Sequence, residues 1–522
     1  MYLPVLAALS CIPQALARSR FSGDNIQSMN AMISIPVGAA KKNARKQAGL
    51  ALWMERVLEE CDRAGVELAA DPVHDLRVAL RRCRSVADGL MALDPDPEWK
   101  KMKKAGKGLF SRLGELRDVQ ITEQWAVSLG SADDPLTFAL TQSLRNREIQ
   151  LKVEAAGALR EFDRKQWRRW SATLPRRAAR LRPGSALFKH LALEHWTNAH
   201  DLHRRAMRNR SQVALHSLRI GLKRFRYIVE NFLPQQHAAW KGDLKRLQDL
   251  LGEVHDLDVL WATLLQLRAF PDGESRSRWH GRVVAERTQR VEEYRAKMLG
   301  EGSLWLVWRA GLPQDGEIEA IALRRLKQWA SFLDPEFQHA QHVSRLAVQL
   351  YDGLPELARR QGRPREEDRV VLQVAALLHG VGHSTKEKKP EKAAYRLLAQ
   401  LKPPLGWSAA NLKVAAAVAR YHRGALPRVG QQALLGLTPQ QRQLVLHLAG
   451  MLRLATAFDV DGSGKIGRLK VSQIHGCIVI AAQGYSARDR YAPGIAAARH
   501  LLELVYRRPV MVKRLLLNSG KG

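Results

Sequence analysis

The sequence predicts a mainly α fold: a duplicated, pseudo-symmetric helical bundle, followed by a second helical domain with one small β-hairpin. Three observations predict it. Apolar residues recur at helical spacing along most of the chain, and a hydrophobic content of 46% is ample for real cores. One histidine- and arginine-rich motif occurs twice, at 74–84 (HDLRVALRRCR) and 216–226 (HSLRIGLKRFR). A leucine-glycine-acid segment follows each copy: Leu113-Gly114-Glu115-Leu116-Arg117-Asp118, then Leu251-Gly252-Glu253-Val254-His255-Asp256. From His74 to Gly114 is 40 residues and from His216 to Gly252 is 36. A similar order at a similar distance implies duplicated helical hairpins.

Residues 1–40 read as a disordered or mis-called N-terminal extension, with Met29 or Met32 as alternative starts. Residues 2–17 carry no charge and Ala15-Leu16-Ala17 faintly resembles a signal cleavage site, but there is no basic n-region and Pro4 and Pro13 interrupt the stretch. The first module is expected over 41–312. Its first helix covers 44–69 and ends at the Ala69-Ala70-Asp71-Pro72 break; the next covers 73–93 and is stopped by Asp94-Pro95-Asp96-Pro97. A helix over 98–113 and a helical hairpin over 120–170 precede the break at Arg182-Pro183-Gly184. Helices then cover 188–210, 212–232, 237–251 and 256–268, with Pro234 as a stop. Gly114 and Gly252 are expected to end helices and Asp118 and Asp256 to cap the next ones.

The second module is expected over 317–515, after Leu312-Pro313-Gln314-Asp315-Gly316. Helical patterns cover 317–333, 337–353, 366–380, 391–400, 408–422 and 439–458. Residues 468–482 alternate and hold β-branched side chains, which predicts the hairpin, and a last helix covers 493–506.

The charge balance bears on partners. With 84 Lys and Arg against 51 Asp and Glu, the formal net charge is +33. Nucleic acid, an anionic membrane or a polyphosphate-like polymer are the partner classes this implies. No apolar run approaches the roughly 20 residues that span a bilayer, so no membrane is expected. The four cysteines are scattered, without a CxxC, which points to a reducing compartment and a cytoplasmic protein, with Cys61 and Cys83 in the core.

Each repeated motif puts a histidine at i and cations at i+3, i+7, i+8 and i+10. Positions i, i+3, i+7 and i+10 share one side of a helix. Two cationic stripes in one chain can face each other, and a polyanion fits between them. Inorganic polyphosphate carries about one charge per phosphate and no bases; Arg forks two phosphate oxygens, while Lys acts as a point charge. A histidine beside phosphate confers pH sensitivity. Lys101 and Lys104, in a lysine run after the first stripe, and Lys245, in the matching place after the second, are candidates for the same surface or its rim.

These residues resemble the CHAD family, the conserved histidine α-helical domain: the motif at 74–84, its partner at 216–227, and the two LGxxxD segments carry the likeness. The resemblance implies a helical bundle with a basic channel that binds inorganic polyphosphate without catalysis. The contacts it implies are His74, Arg77, Arg81 and Arg84, and His216, Arg219, Lys223 and Arg226. Tyr227 completes the family's Arg-Tyr ending; the first copy has Ser85 there.

The second module resembles the C-terminal HD-type domain of the exopolyphosphatase/guanosine pentaphosphatase family. The carrying segments are Asp334-Pro335-Glu336 with 339–347 (HAQHVSRLA), 375–382 (AALLHGVG), Arg420-Tyr421-His422-Arg423, and 452–459 (LRLATAFD). HD phosphohydrolases hold one or two metals through a His-Asp pair, but His379 is followed by Gly380. What remains of such a set is His339 (or His342), His379, His422 and Asp459, so no metal, cofactor or catalytic residue is expected. The family's actin-like catalytic domain has no counterpart, and neither GxxxxGK[ST] nor GxGxxG occurs. By the same resemblance Lys413, Arg420, Arg423 and Arg428 extend a polyanion track. The expected function is polyphosphate binding, with association to polyphosphate granules. The alternatives are a metal-dependent phosphohydrolase and a general nucleic-acid binder. Against the latter stand the lack of a helix-turn-helix, RRM or zinc finger and only 6% aromatic residues.

Overall fold

The structure, a computed structural model, describes residues 49–131, 134–209, 211–354 and 365–515. The expected extension at 1–40 lies outside the described residues. The chain divides into Met1–Gly49 and Leu50–Gly522, and the description that follows is of the latter. Its described residues form nineteen α-helices and one three-stranded sheet, so the fold is mainly α.

The first eleven helices are α1 Leu50–Val66, α2 Ala70–Met91, α3 Pro97–Ala105, α4 Lys107–Leu129, α5 Pro135–Glu161, α6 Arg164–Ala178, α7 Ala186–Asn209, α8 Gln212–Phe232, α9 Pro234–Gln266, α10 Gly273–Met298 and α11 Leu304–Ala310. Their starts follow from local chemistry. Asp96 accepts from Glu98 N at 2.9 Å, with Pro97 in the first turn of α3, and Ser211 accepts from Ala214 N at 3.2 Å at the start of α8. The duplication is visible in the packing. α1 packs on α2, α2 on α4 and α4 on α5; likewise α7 packs on α8, α8 on α9 and α9 on α10. The halves join where α2 meets α8 and α4 meets α9. Gly89 on α2 permits that approach: a Cβ there would lie 2.2 Å from the Phe232 ring of α8.

Two expectations are corrected. Gly114 and Gly252 do not end helices; they lie inside α4 and α9, and 237–251 and 256–268 are one helix. A mid-helix glycine costs about 1 kcal/mol. In α9 the row Leu244, Leu247, Leu251, Val254, Leu257, Leu260 and Leu264 is buried without interruption across the glycine, and this burial outweighs that cost. The helix break sits instead at Gly106, between α3 and α4. Asp118 and Asp256 are therefore mid-helix residues, not caps. α10 and α11 come in addition to the helices the periodicity predicts.

The second part holds α12 Asp315–Leu333, α13 Phe337–Gly353, α14 Arg365–Leu378, α15 Pro390–Gln400, α16 Ala409–Arg420 and α17 Pro439–Ala457, then β1 Leu469–Ile474, β2 Cys477–Ala482, α18 Ala492–Ala498, α19 His500–Tyr506 and β3 Val510–Arg514. β1 and β2 form the expected antiparallel hairpin, turning through His475 and Gly476, both at positive φ. β3 adds to β2 in parallel, and the expected last helix is broken at Arg499. A small apolar cluster around Leu140, Leu260 and Trp279 packs α4, α5, α9 and α10 together; of the two large cores, one draws on Leu50 to Leu312 and the other on Leu326 to Val510. Between them lies a buried polar cluster. Arg325 Nη1 of α12 donates to His190 Nδ1 and pairs with Glu194, each at 2.8 Å. His190 Nε2 donates to the Leu405 carbonyl at 3.0 Å, and Leu405 N donates to Glu194 at 2.7 Å.

Candidate anion-binding site

In both repeats each stripe residue directly follows a buried core residue. Val73, Leu76, Leu80 and Cys83 precede His74, Arg77, Arg81 and Arg84; Leu215, Leu218, Leu222 and Phe225 precede His216, Arg219, Lys223 and Arg226. One residue is about 100° of helix, so the stripes border the core, and their side chains are half-buried except exposed His74.

The two stripes act on each other. Burial pushes the Lys223 ammonium down to about 8, and Arg219 on its own helix with Arg81 and Arg77 across from it push the same way. Arg77 is likewise lowered, first by burial, and Arg81 and Arg117 add to this against Asp118. Its guanidinium lies 5.4 Å over the Phe110 ring, and its Nη1 is buried with no hydrogen-bond partner. Gly114 makes the room: a Cβ there would sit 2.8 Å from that nitrogen, whereas one at Gly252 would meet nothing within 4 Å. Arg84 covers the same ring at 5.2 Å and donates to the Lys103 carbonyl at 2.7 Å. Arg226 stands 3.9 Å from Glu230, which also pairs with Arg82. Tyr227 has a buried hydroxyl without a partner, and Lys223 Nζ lies 5.8 Å over its ring.

Three further residues join the stripes. Asp118 faces Arg77, Arg219 and Lys223; it is open to water yet hemmed in by protein, and desolvation outweighs those cations and raises its pKa. Asp256 is pushed up to about 6 by burial, with Arg219 opposing and Asp118 reinforcing. His255, whose ring lies 4.9 Å from that of His216, is pushed down to about 4 by burial and by Arg219, His216 and Lys223. The usable sequence signal was the acid four residues after each glycine, which helical spacing returns to the glycine's face.

Lys101, Lys104 and Lys245 are exposed. Lys101 pairs with Glu98 on its own helix at 2.7 Å. None of the three joins the ion pairs and hydrogen bonds of the stripe residues among the described residues.

In the second part, His339, His379 and His422 line one cavity of about 500 Å³ together with Asp334, Arg423 and Arg453. Asp459 accepts from His339 Nδ1 through Oδ2 and from Gly464 N through Oδ1, both at 2.8 Å. His379 and His422 donate Nδ1–H to the Ala376 and Ala419 carbonyls at 2.6 Å, and burial holds both imidazoles neutral, His379 at about 4. Among the described residues no three His, Cys, Asp or Glu are grouped to hold a metal ion. A Cβ at Gly380 would lie 2.2 Å from Asp334 Oδ2, so the Asp334 carboxylate fills the place where the second member of a His-Asp pair would begin. The consecutive His-Asp pair of the HD type is therefore not formed at His379.

Fold and site define a helical protein with two large cores and a doubled cationic seam. The comparisons make this particular: a family model described as the CHAD domain matches residues 54–265, and one described as Ppx/GppA phosphatase, domain III, matches residues 324–477. The chain joins a CHAD domain to a Ppx/GppA domain III. No curated protein matches the chain. No described helix is long and apolar enough to cross a membrane.

Proposed function

We propose that the protein binds inorganic polyphosphate through the paired stripes, without catalysis. The carrying observation is the mutual crowding of Lys223, Arg219, Arg77 and Arg81, drawn from both repeats. Cations brought together at the edge of a core repel one another, and a polyanion laid along them relieves that repulsion. The donors are His74, Arg77, Arg81 and Arg84 with His216, Arg219, Lys223 and Arg226; Tyr227 supplies a hydroxyl. Lys101, Lys104 and Lys245 serve the approach of the polymer, not its grip. Residues 41–312 form the binding module and 317–515 an accessory one. The protein works in the cytoplasm at polyphosphate granules.

The test is binding of long-chain polyphosphate at physiological salt to the full chain and to Arg77→Ala/Arg81→Ala/Arg219→Ala/Lys223→Ala, with DNA of matched charge as competitor. We expect the quadruple variant to lose at least 100-fold in affinity and DNA to compete poorly. An equal loss on neutralising Lys100, Lys101, Lys103 and Lys104 would mean that the net charge acts diffusely, and the reading would fail. Affinity falls steeply with salt, as for phosphate contacts in nucleic acids.

A further inference from the structure

A second, smaller cationic cavity lies away from the stripes. It holds about 410 Å³ and opens between α15 and the C-terminal end of α16, lined by Lys392, Tyr395, Arg396, Arg420, Tyr421 and Gln431, with no carboxylate among its described lining residues. Arg420 is the informative side chain. It is 13% exposed, and its Nη1 is cut off from solvent with no hydrogen-bond partner. The nearest acid, Glu391, stands 3.9 Å away and is shared with Arg423 at 3.6 Å, both beyond hydrogen-bonding distance. One carboxylate between two guanidinium groups leaves a net positive charge, and a buried N–H without an acceptor is costly to keep.

The mouth is adaptable and the wall is fixed. Lys392 is exposed, and Arg396 is paired with Glu387 on the surface, an interaction that yields readily to a better anion. Tyr421 donates to Gln431 Oε1 at 2.5 Å, and Gln431 Nε2 donates to the Leu426 carbonyl at 3.3 Å, which holds the cavity's back. The structure divides the cations that the sequence grouped into one track: Arg420 turns to this cavity, whereas Arg423 lines the histidine cavity.

We infer that this cavity is a binding site for a compact phosphate group, with Lys392 and Arg396 donating at the mouth and the uncompensated charge of Arg420 in the wall behind them. Orthophosphate or pyrophosphate in solution and the end of a longer chain offer the same chemistry. The site does not depend on the stripes, so its test uses the full chain carrying the quadruple stripe substitution. Pyrophosphate and orthophosphate are titrated into that protein, with Lys392→Ala/Arg396→Ala or Arg420→Gln added. We expect saturable pyrophosphate binding that weakens at least 10-fold in either variant. The exposed pair decides the matter if Arg420→Gln does not fold. Absence of pyrophosphate and orthophosphate binding in the stripe-substituted protein, or an affinity unchanged by Lys392→Ala/Arg396→Ala, overturns the inference. In the wild-type chain, an equal loss of long-chain polyphosphate affinity on Lys392→Ala/Arg396→Ala identifies the chain end as the ligand; a loss confined to the small phosphates identifies the free anion.

Discussion

Lys223 shows how binding and stability oppose each other at one residue. In the unfolded chain its ammonium persists to about 10.5, whereas in the fold it titrates near 8. Below pH 8 the fold therefore holds a charge it disfavours, at a cost of about 3 kcal/mol. This cost fades as pH rises from 8 to 10.5. Lys223→Met should raise the denaturation midpoint of the ligand-free protein at pH 7, have little effect at pH 10, and weaken polyphosphate binding at pH 7. A loss of stability at pH 7 would show that Lys223 packs more than it repels. Asp256 titrates near 6 in the fold against 3.8 ordinarily. As pH rises through 6 it ionises and cancels part of the stripes' field, so affinity should fall by about fivefold between pH 5 and 7. Asp256→Asn should remove most of that slope and bind more tightly at pH 7, as titrations at the two pH values would show.

The two mid-helix glycines separate cause from coincidence at the scale of the element. Gly252 has open space where a Cβ would go, so Gly252→Ala should stabilise α9 by about 0.5–1 kcal/mol with binding unchanged. Gly114 lies against Arg77, so Gly114→Ala should displace the guanidinium and weaken polyphosphate binding about 10-fold without a matching gain in stability. Thermal melts and titrations of the two variants check both statements. The sequence made the stripe helices legible because prolines follow their ends at Pro95 and Pro234, because Ser211 caps α8, and because the charged period lies beside the apolar one. It misplaced the ends at Gly114 and Gly252 because local propensity does not register the continuous burial of α9. The facing of Arg81 and Lys223 could be anticipated from the repeat, but the roles of Asp118, Asp256 and His255 could not, since a cap and a mid-helix counter-charge read alike in sequence. β3 was hidden for another reason: five residues gain strand character only by pairing in parallel with a distant partner.

At the scale of the whole molecule, the two cores meet across the cluster of Arg325, His190, Glu194 and Leu405. Arg325 is 7% exposed and His190 fully buried. Burial and the adjacent guanidinium hold the His190 imidazole's pKa down, so its Nδ1 accepts from Arg325. Removing one partner of a buried ion pair leaves the other charge uncompensated, which costs roughly 3–5 kcal/mol. Arg325→Met should therefore lower stability by about that amount. It should also separate urea unfolding into two transitions, read by probes placed in each half. A single coincident transition would mean that apolar contacts alone keep the halves cooperative.

The contact between Gly380 and Asp334 also constrains the paths by which this sequence can change. Placing an acid at position 380 is blocked while Asp334 holds the space. Removing Asp334 first strips the Glu336 N–H of its acceptor, bonded at 3.0 Å, and empties a buried pocket. Both single steps pass through a damaged intermediate, so the departure from the His-Asp pattern acts as a ratchet, and a laboratory reversion needs both positions changed together.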